Sequence, residues 1–411
     1  MPTLLPPETT APPADTLVTT DRRGTNASAI LRSILDEGPV ARSTIARRTG
    51  LSAAAVSRLC QDLAARDLIR ELPARAPRAN LGRPHVPVDL DDRRHVAGGI
   101  HVAVPHTTVA LSDLRGRVLV REVLPHGDAG PERILDRAAD TLDRLLREHT
   151  AGRGVLGIGL ATGGRVDTTT GDVVWHNLLG WRDVPAGRLL ADRLGRPVRV
   201  ENHSRALARA ELLFGPLRHR ARRSLVHLFV GNMVDAALST AGTVHHGPGS
   251  AAGEIAHLPL GESTVRCPCG RTGCLQASVS DRAMGERAAA AGVVPVPSFD
   301  ALVAAARAGD DRAVDLFRQR ARVVGRAAAL LLDLVNPDVL VVVEGGLVLV
   351  PEIAPMLLAE LHAEVADRSQ VCVDPAATVL PSTFGPDLLG LAAGTVVLDD
   401  VYSHPLGLGA T

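Results

Sequence analysis

The sequence predicts an α/β protein that carries a winged helix-turn-helix module at its amino terminus. Two observations lead to this fold class. Apolar residues near the amino terminus repeat at helical spacing around a glycine turn, and later in the chain apolar strands alternate with amphipathic helices. With 411 residues, the chain is long enough for two or three domains with substantial cores.

The bulk composition is that of a soluble globular protein. Hydrophobic residues make up 45% of the chain, mean hydropathy is +0.12, and no apolar run is long enough to cross a bilayer. Residues 1–22 are rich in Pro, Thr and Ala and show no secretion signal, so we expect a disordered tail there. The five cysteines then suit a reducing cytoplasm, and we expect no membrane partner.

Residues 23–90 are predicted to form the DNA-binding module. A first helix ends at Gly38-Pro39, Ser43 begins a short second helix, and Gly50 makes the turn before a third helix that Ser52 caps. This arrangement is typical of the helix-turn-helix, although an ordinary three-helix bundle with a polar surface has the same pattern. Residues 21–88 hold twelve arginines against six acidic residues, a balance that suits nucleic acid or simply a solvated surface.

The outer face of the third helix carries the predicted DNA contacts. Its small residues can approach thymine methyl groups, and Arg58 can reach a guanine edge or a phosphate. The residues predicted to contact DNA from this helix are Ser52, Ala54, Ser57, Arg58 and Gln61.

A basic loop between two short apolar runs, residues 68–72 and 82–90, predicts a hairpin wing. Its arginines can follow phosphates or enter a minor groove, and the predicted contacts are Arg75, Arg78 and Arg83. A flexible linker would also be rich in proline, but the strand-like flanks favour a wing.

The rest of the chain predicts an α/β body. Apolar strands are expected at residues 96–114, 154–161, 198–200, 225–230 and 339–343. Helices are expected between them, at residues 185–194 and 312–334, and the pair Gly345-Gly346 follows the last strand as a tight turn would.

Three of the five cysteines and one histidine predict a zinc site. Three thiolates and one imidazole complete a tetrahedral set, which leaves no position for a reactive water and therefore indicates a structural metal. Glycines 270 and 273 permit the tight turns that bring the sulfurs together; a chance cluster or a disulfide is the alternative. The predicted ligands are His257, Cys267, Cys269 and Cys274.

The order of these features resembles the ROK family, which comprises bacterial repressors and sugar kinases. The resemblance covers residues 26 to about 400. The residues that carry it are Gly163, Gly164 and Asp167, then Asn177, Leu178, Gly180 and Trp181, then Glu201 and Asn202, and finally Gly253, Glu254, His257 and the three clustered cysteines.

The resemblance implies an actin/hexokinase-like (ribonuclease H-like) body with two α/β lobes. Residues 91–212, completed by about 390–411, would form the first lobe. Residues 213–389 would form the second, with the zinc loop and a dimerisation surface. The residues implied to bind a sugar are Gly164, Asn177, Asn202, Glu254, His257 and Gln276. Gln276 stands where the family has a glutamate, and we expect His245 and His246 to be surface residues.

Three departures from the family's kinases indicate that this chain is not an enzyme. His203 replaces the aspartate that acts as general base, and residues 101–106 lack the glycines and the acid of the first phosphate loop. Residues 231–235 carry Met and Asp in place of glycines of the second phosphate loop. We interpret these changes as three independent losses.

The sequence therefore predicts a DNA-binding transcriptional regulator, most simply a repressor of carbohydrate uptake or catabolism genes. Its partners would be a double-stranded operator and a sugar effector, and it would act as a homodimer or a dimer of dimers. Two alternatives stay open: a sugar kinase fused to a DNA-binding domain, and a regulator whose body docks a partner protein without binding sugar.

Overall fold

The computed structural model describes residues 21–73, 86–260 and 265–407. The amino-terminal module consists of three helices beside a small antiparallel sheet of order β1-β3-β2. Its elements are α1 (Arg22–Glu37), β1 (Val40–Ala41), α2 (Arg42–Thr49), α3 (Ala53–Ala64), β2 (Ile69–Glu71) and β3 (Pro87–Leu90).

The local signals of this module are confirmed with one correction. The Ser52 hydroxyl accepts a hydrogen bond from the Ala55 amide at 3.2 Å, and Gly50 adopts the left-handed conformation before α3. The expected start of the second helix at Ser43 is wrong. That helix begins at Arg42, and its N-cap residue, Ala41, has no side-chain oxygen with which to accept a bond.

The first sheet has the order β11-β7-β4-β5-β6, with β4, β7 and β11 parallel and β4, β5 and β6 antiparallel. Three short strands, β8, β9 and β10, make a separate antiparallel sheet. The elements are β4 (His95–Val102), β5 (His106–Ser112), β6 (Val118–Pro125), α4 (Pro131–His149), β7 (Gly154–Thr162), β8 (Arg165–Asp167), β9 (Asp172–His176), β10 (Trp181–Val184), α5 (Ala186–Leu194), β11 (Val198–Asn202), α6 (His203–Phe214) and α7 (Arg218–Ala221).

The second sheet has the order β14-β13-β12-β15-β16. The elements are β12 (Ser224–Val230), β13 (Val234–Thr240), β14 (Thr243–Val244), α8 (Leu275–Val279), α9 (Asp281–Ala290), α10 (Phe299–Arg307), α11 (Asp311–Val335), β15 (Val339–Glu344), α12 (Gly345–Leu349), α13 (Ala354–Arg368), α14 (Pro375–Thr378), β16 (Val379–Pro381) and α15 (Leu388–Ser403). Short 3-10 helices lie at Pro248–Ser250 and Gly385–Asp387.

The last helix, α15, packs against the first sheet at very short range. A side chain at Gly99 in β4 would lie 2.7 Å from the Gly394 amide, and one at Gly159 in β7 would collide with the Ala393 carbonyl. Glycine is therefore required at both strand positions, which explains the Gly98-Gly99 pair in the sequence. Among the described residues, none of the helices is both long and apolar enough to cross a membrane. The boundaries of the two lobes stay a prediction.

The core of the module is continuous with that of the body. Its buried residues Ile30 and Leu31 belong to the same apolar cluster as Leu114, Val401 and Tyr402 of the body. The helices that carry the predicted DNA contacts are thus continuous, through their packing, with the first sheet and α15.

Candidate DNA interface, metal centre and ligand cleft

The third helix divides cleanly into a buried and an exposed face. Val56, Cys60 and Leu63 are fully buried, whereas all of the DNA contacts predicted from this helix are exposed. These exposed residues are Ser52, Ala54, Ser57, Arg58 and Gln61. Their contact with DNA stays a prediction; all five are exposed, and Ser52 also caps α3.

Strands β2 and β3 pair antiparallel on either side of the predicted wing, with Ile69 opposite Leu90. The predicted wing arginines, Arg75, Arg78 and Arg83, lie outside the described residues. Only the two strands that flank the wing are described.

The four predicted zinc ligands lie together. The donor atoms of His257, Cys267, Cys269 and Cys274 are all within 4.8 Å of one another. The Sγ atoms of Cys269 and Cys274 are 3.6 Å apart, as are Cys267 Sγ and His257 Nδ1. A tetrahedron with Zn–S bonds of about 2.3 Å has S···S edges of about 3.8 Å, so the cluster has the size that zinc requires. All three cysteines are free thiols, which argues against the disulfide alternative.

The electrostatic surroundings favour a thiolate at Cys269, whereas burial raises the pKa of Cys274 to about 12. The backbone amide and the guanidinium of Arg271 lower the pKa of Cys269 to about 6. A thiolate is the form of cysteine that binds metal, so Arg271 prepares one ligand at neutral pH.

The zinc loop is tied to the chain segment that carries Glu254 and His257. The amides of Leu275 and Gln276, at the start of α8, donate to the Leu258 and Ala256 carbonyls at 2.9 Å. Gln276 is buried, and its Oε1 has no hydrogen-bond partner among the described residues. A metal that fixes Cys274 would therefore also fix the segment on both sides of His257.

Two of the residues predicted to bind sugar have structural contacts of their own. Asn202 donates from Nδ2 to the Gly164 carbonyl at 3.0 Å, and its Oδ1 accepts from the Ser204 amide at 2.8 Å and so caps α6. Asn177, in the turn after β9, is exposed. Burial and the Asp235 carboxylate raise the pKa of Glu254 to about 7. The sugar assignments of these residues, and of His257 and Gln276, stay predictions.

The expectation that His246 is simply a surface residue is wrong. Its Nε2 lies 2.9 Å from Glu201 Oε2 and 3.2 Å from an Arg209 nitrogen. Glu201 also accepts from Arg205 Nε at 2.7 Å, and these partners overcome its burial and lower the pKa of Glu201 to about 2. The acid of the Glu-Asn pair is therefore the centre of a buried ion-pair network.

A separate cleft of about 520 Å³ is lined by residues of both sheets. Four histidines line it: His101, His106, His176 and His203. The rings of His101 and His203 are nearly parallel, with their centroids 5.7 Å apart. Phe229, Met233 and Phe299 supply much of the remaining lining.

Two of the changes interpreted as independent losses are in contact. The Nε2 atom of His203 lies 2.9 Å from Asp235 Oδ2, and both side chains are buried. An aspartate at position 203 would face the carboxylate of Asp235, so the histidine and the aspartate suit each other. The interpretation as independent losses is therefore wrong for this pair. The sequence held no signal for it because the residues come from different elements, His203 from α6 and Asp235 from β13.

Met233 occupies the space beside the glycine turn after β7. A side chain at Gly163 would lie 2.6 Å from the Met233 Cγ and 3.3 Å from the His203 ring. The Gly231 amide donates to the Met233 carbonyl at 2.9 Å, so this turn uses that donor internally. Met233 thus packs against Gly163, and the turn at residues 231–233 is closed by its own hydrogen bond.

Comparisons with known proteins agree with this architecture. The model of the ROK family matches residues 97–385, and that of the MarR family matches residues 24–78. A transcriptional regulator of Mycobacterium tuberculosis is 36% identical over 395 residues, which cover 93% of this chain and 86% of the relative. The DNA-binding transcriptional repressor Mlc of Escherichia coli is 28% identical over 326 residues, covering 76% of this chain and 79% of Mlc.

The fold is also that of a solved ROK regulator. The crystal structure of a ROK family transcriptional regulator, described as a homologue of the E. coli Mlc protein, superposes with a TM-score of 0.75 at 22% identity. The superposition covers 93% of this chain and 98% of that one, so it includes the amino-terminal module as well as the body. With its family match over more than half of its length and a winged helix of the MarR type ahead of it, this chain belongs to the ROK family.

Proposed function

We propose that the protein is a DNA-binding transcriptional repressor of carbohydrate uptake or catabolism genes, and that its body senses a sugar or a sugar derivative. The observation that carries this proposal is the shared core of the module and the body. A regulator requires that a change in the body reaches the DNA-binding helices, and a continuous core supplies the path.

The path runs along α15. Leu389, at the start of this helix, lines the cleft, and Tyr402, near its end, packs against α1. Sixteen residues of helix span about 24 Å, so one rigid element joins the two regions. The Ser28 hydroxyl of α1 donates to the Tyr402 carbonyl at 2.6 Å, and the Tyr402 hydroxyl donates to the Leu114 carbonyl at 2.6 Å.

Ion pairs make a second connection between the module and the body. Asp36, near the end of α1, accepts from Arg218 Nε at 2.7 Å and from Arg222 at 2.6 Å. Its side chain is only 9% exposed, so it is held between the two guanidinium groups of the body. A movement of α7 would therefore be transmitted to α1 through the ion pairs of Asp36.

The sugar site would lie where Gly164, Asn202, Glu254 and His257 approach the metal cluster, with Asn177 and Gln276 completing it. Amides and carboxylates are the groups that read polyol hydroxyls, and the ties between α8 and the Ala256–Leu258 segment support zinc as the brace of this site. A structural zinc, a cytoplasmic location and a homodimer or dimer of dimers are parts of the same proposal.

The alternative of a sugar kinase is less well supported. The His203–Asp235 pair replaces a free general base, and Met233 fills the glycine turn. The named relatives reported above are regulators and a repressor. A coupled assay that detects sugar-dependent ATP consumption by the pure protein would reverse this assignment.

The DNA proposal is tested by selecting binding sites from random double-stranded DNA with the full-length protein. Replacing Arg58 by Ala should weaken binding to the selected site about 10- to 100-fold, since a base-reading arginine is worth roughly 1–3 kcal/mol. The matched control is Arg182→Ala, which removes an exposed arginine of β10 and should leave binding unchanged. Equal binding by both variants would refute the assignment of α3.

The sensor proposal is tested by thermal shift against monosaccharides and oligosaccharides, because a ligand of the folded state raises the melting temperature. A sugar that raises it should also weaken retention of the selected DNA. Specific DNA binding with no shift for any sugar would favour a body that docks a partner protein.

A further inference from the structure

The buried ion-pair network around Glu201 extends to the segment that carries the proposed sugar contacts. The Nη1 atom of Arg205 donates to the carbonyls of Ser250 at 3.0 Å and of Ala252 at 3.4 Å. The second of these carbonyls lies two residues before Glu254 in the chain. The Nε atom of the same guanidinium donates to Glu201 Oε1 at 2.7 Å. Arg205 therefore ties this segment to the end of β11.

In the other direction the same network extends to α15. Arg209, one turn after Arg205 in α6, donates from Nη2 to Glu201 Oε2 at 3.1 Å. Its Nη1 donates to Asp399 Oδ2 of α15 at 2.6 Å. Side chains four residues apart lie on one face of a helix, so Asp399 and Ser403 share a face of α15.

At the end of α15 the network reaches the DNA-binding module. The Nη2 atom of Arg32, in α1, donates to the Ser403 hydroxyl at 3.1 Å, and the Asp399 carboxylate attracts the same guanidinium. A chain of polar contacts thus runs from the segment before Glu254, through two arginines of α6 and the last turns of α15, to the first helix of the module.

Glu201 is the shared acceptor of this network, and all of its acceptor positions are used. Its Oε1 accepts from the Asn202 amide and from Arg205. Its Oε2 accepts from Arg209 and lies 2.9 Å from His246 Nε2. The arginines have donors to spare, because Arg205 Nη2 and Arg209 Nε are buried without a hydrogen-bond partner among the described residues. Donors that compete for one carboxylate can exchange places, which gives the network a second arrangement.

The network also has room to rearrange on one side. It forms part of the wall of a surface pocket of about 410 Å³. The side chain of Arg205 is only 3% exposed, whereas that of Arg209, which lines the pocket, is 19% exposed. A side chain at a pocket wall can move without displacing packed neighbours, so Arg209 is the arginine of this pair that is free to change partner.

We propose that this network transmits occupancy of the sugar site to the DNA-binding module, with Arg209 as the positioning residue between α6 and α15. The inference rests on the proposed sensor function and adds the route of its regulation. A sugar on Glu254 moves the preceding carbonyls, Arg205 follows them, and the Glu201 carboxylate is shared differently. Arg209 then changes its hold on α15, whose last residue accepts the hydrogen bond from α1.

The experiment measures operator affinity by fluorescence anisotropy, using the full-length protein and its selected DNA site. The Kd with a saturating concentration of the sugar found by thermal shift, divided by the Kd without it, is the coupling factor, which is typically about 5 to 150 in allosteric proteins. Arg209→Met removes the charge and both hydrogen bonds but keeps an unbranched side chain. It should bring the coupling factor below about 2, while the sugar Kd and the sugar-free operator Kd stay within about threefold of wild type.

Arg199→Met is the matched control for this substitution. Arg199 donates to Asp400 Oδ2 at 2.8 Å and so forms the neighbouring ion pair with α15, outside the Glu201 network. This variant should keep the wild-type coupling factor. A wild-type coupling factor in the Arg209→Met protein would overturn the proposal, and so would an equal loss of coupling in both variants.

Position 403 tests the far end of the route and keeps the experiment decisive if Arg209→Met does not fold. Ser403→Ala removes the acceptor of Arg32, whereas Ser403→Thr keeps a hydroxyl there. The alanine variant should reduce the coupling factor at least about threefold, and the threonine variant should retain it. Equal coupling factors in these two variants would refute the route.

The wild-type protein separates this inference from the function on which it rests. If no sugar binds, or if a bound sugar leaves operator affinity unchanged, the sensor proposal fails and the route fails with it. If wild-type coupling is present and survives both Arg209→Met and Ser403→Ala, the route alone is wrong, and the ion pairs of Asp36 are left as the connection between body and module.

Discussion

The metal cluster and the cleft are neighbours in space, but their residues are assembled in different ways. The four metal ligands come from residues 257–274, where glycine turns bring them together. The cleft draws His101 from β4, His203 from the start of α6, Met233 from a turn of the second sheet and Phe299 from α10. The first set is local in the sequence, whereas the second is distributed over distant segments.

The comparison suggests that residues in contact within the cleft, such as His203 and Asp235, depend on each other. A metal site tolerates no partial loss, because three ligands do not hold zinc in a closed tetrahedron. A cleft can accept different sets of contacting residues, and the His203–Asp235 pair is one such set. In this chain His203 and Asp235 are mutually consistent partners.

The strongest way to break the comparison is to remove the metal. Cys267→Ser should reduce zinc to less than about a tenth of an equivalent per chain and lower the free energy of unfolding by more than about 3 kcal/mol, since metal binding stabilises the fold directly. Atomic emission and urea unfolding measure the two effects.

The matched control for this experiment is Cys372→Ser, which changes a half-buried cysteine outside the cluster. It should keep its zinc and nearly all of its stability. Retention of zinc by the Cys267→Ser protein would show that the cluster is not a metal site.

The cleft is tested by a double-mutant cycle on its buried pair. His203→Asp places a second carboxylate against Asp235 and should cost about 3 kcal/mol of unfolding free energy, because it leaves buried like charges in contact. Adding Asp235→Asn should recover at least about 1.5 kcal/mol, which is the signature of coupled residues. Equal stability of the single and double variants in urea would mean that the two replacements are independent after all.

The sequence predicted what depends on neighbouring residues. The Ser52 cap, the buried face of α3 and the metal cluster are each encoded within a few turns of chain, and the structure confirms their geometry. Which residues bind DNA or sugar is still untested.

What the sequence could not reveal depends on packing between distant segments. The contact of His203 with Asp235, the bond of His246 to Glu201, and the core that α1 shares with α15 each join residues from different elements. A single sequence does not show which residues of two distant segments come into contact. The close approach of α15 to Gly99 and Gly159 likewise became visible only in the structure.

Three buried histidines, of which His101 and His176 line the cleft, respond to acid, and this sets the third prediction. Burial lowers the pKa of His227 to about 3 and of His176 to about 4, and that of His101 also falls well below 6.5. At these three positions the unfolded chain binds more protons than the folded one below about pH 6.5, so their contribution to the free energy of unfolding falls as pH falls. Glu211 and Glu254, whose pKa burial raises to about 7, contribute in the opposite direction. Between pH 7.5 and 6.0 the three groups together should cost about 2 kcal/mol.

Two substitutions separate this effect from acid release of the metal. His227→Phe removes one of the three buried histidines, so its change in unfolding free energy from pH 7.5 to 6.0 should be about 0.8 kcal/mol more favourable to folding than that of the unsubstituted protein. His149→Ala, which changes an exposed histidine of α4, should leave this pH dependence unchanged. Urea unfolding at several pH values measures both. The metal contributes equally to all three proteins, so a slope that His227→Phe does not alter would assign the acid sensitivity elsewhere.

The smallest predicted effect concerns Asn202, which stands between the two regions. Asn202→Ser keeps an oxygen to cap α6 but loses the bond to the Gly164 carbonyl, and should cost about 1 kcal/mol. Asn202→Ala loses both contacts and should cost about 2 kcal/mol, so the difference between the variants measures the cap alone. Both the Nδ2 and the Oδ1 atom of Asn202 already make hydrogen bonds within the protein. The two variants therefore also test whether Asn202 stabilises the fold or binds the ligand. A sugar-induced rise in melting temperature that survives Asn202→Ser would give the residue a structural role only, and would confine sugar recognition to the side of the site that the metal braces.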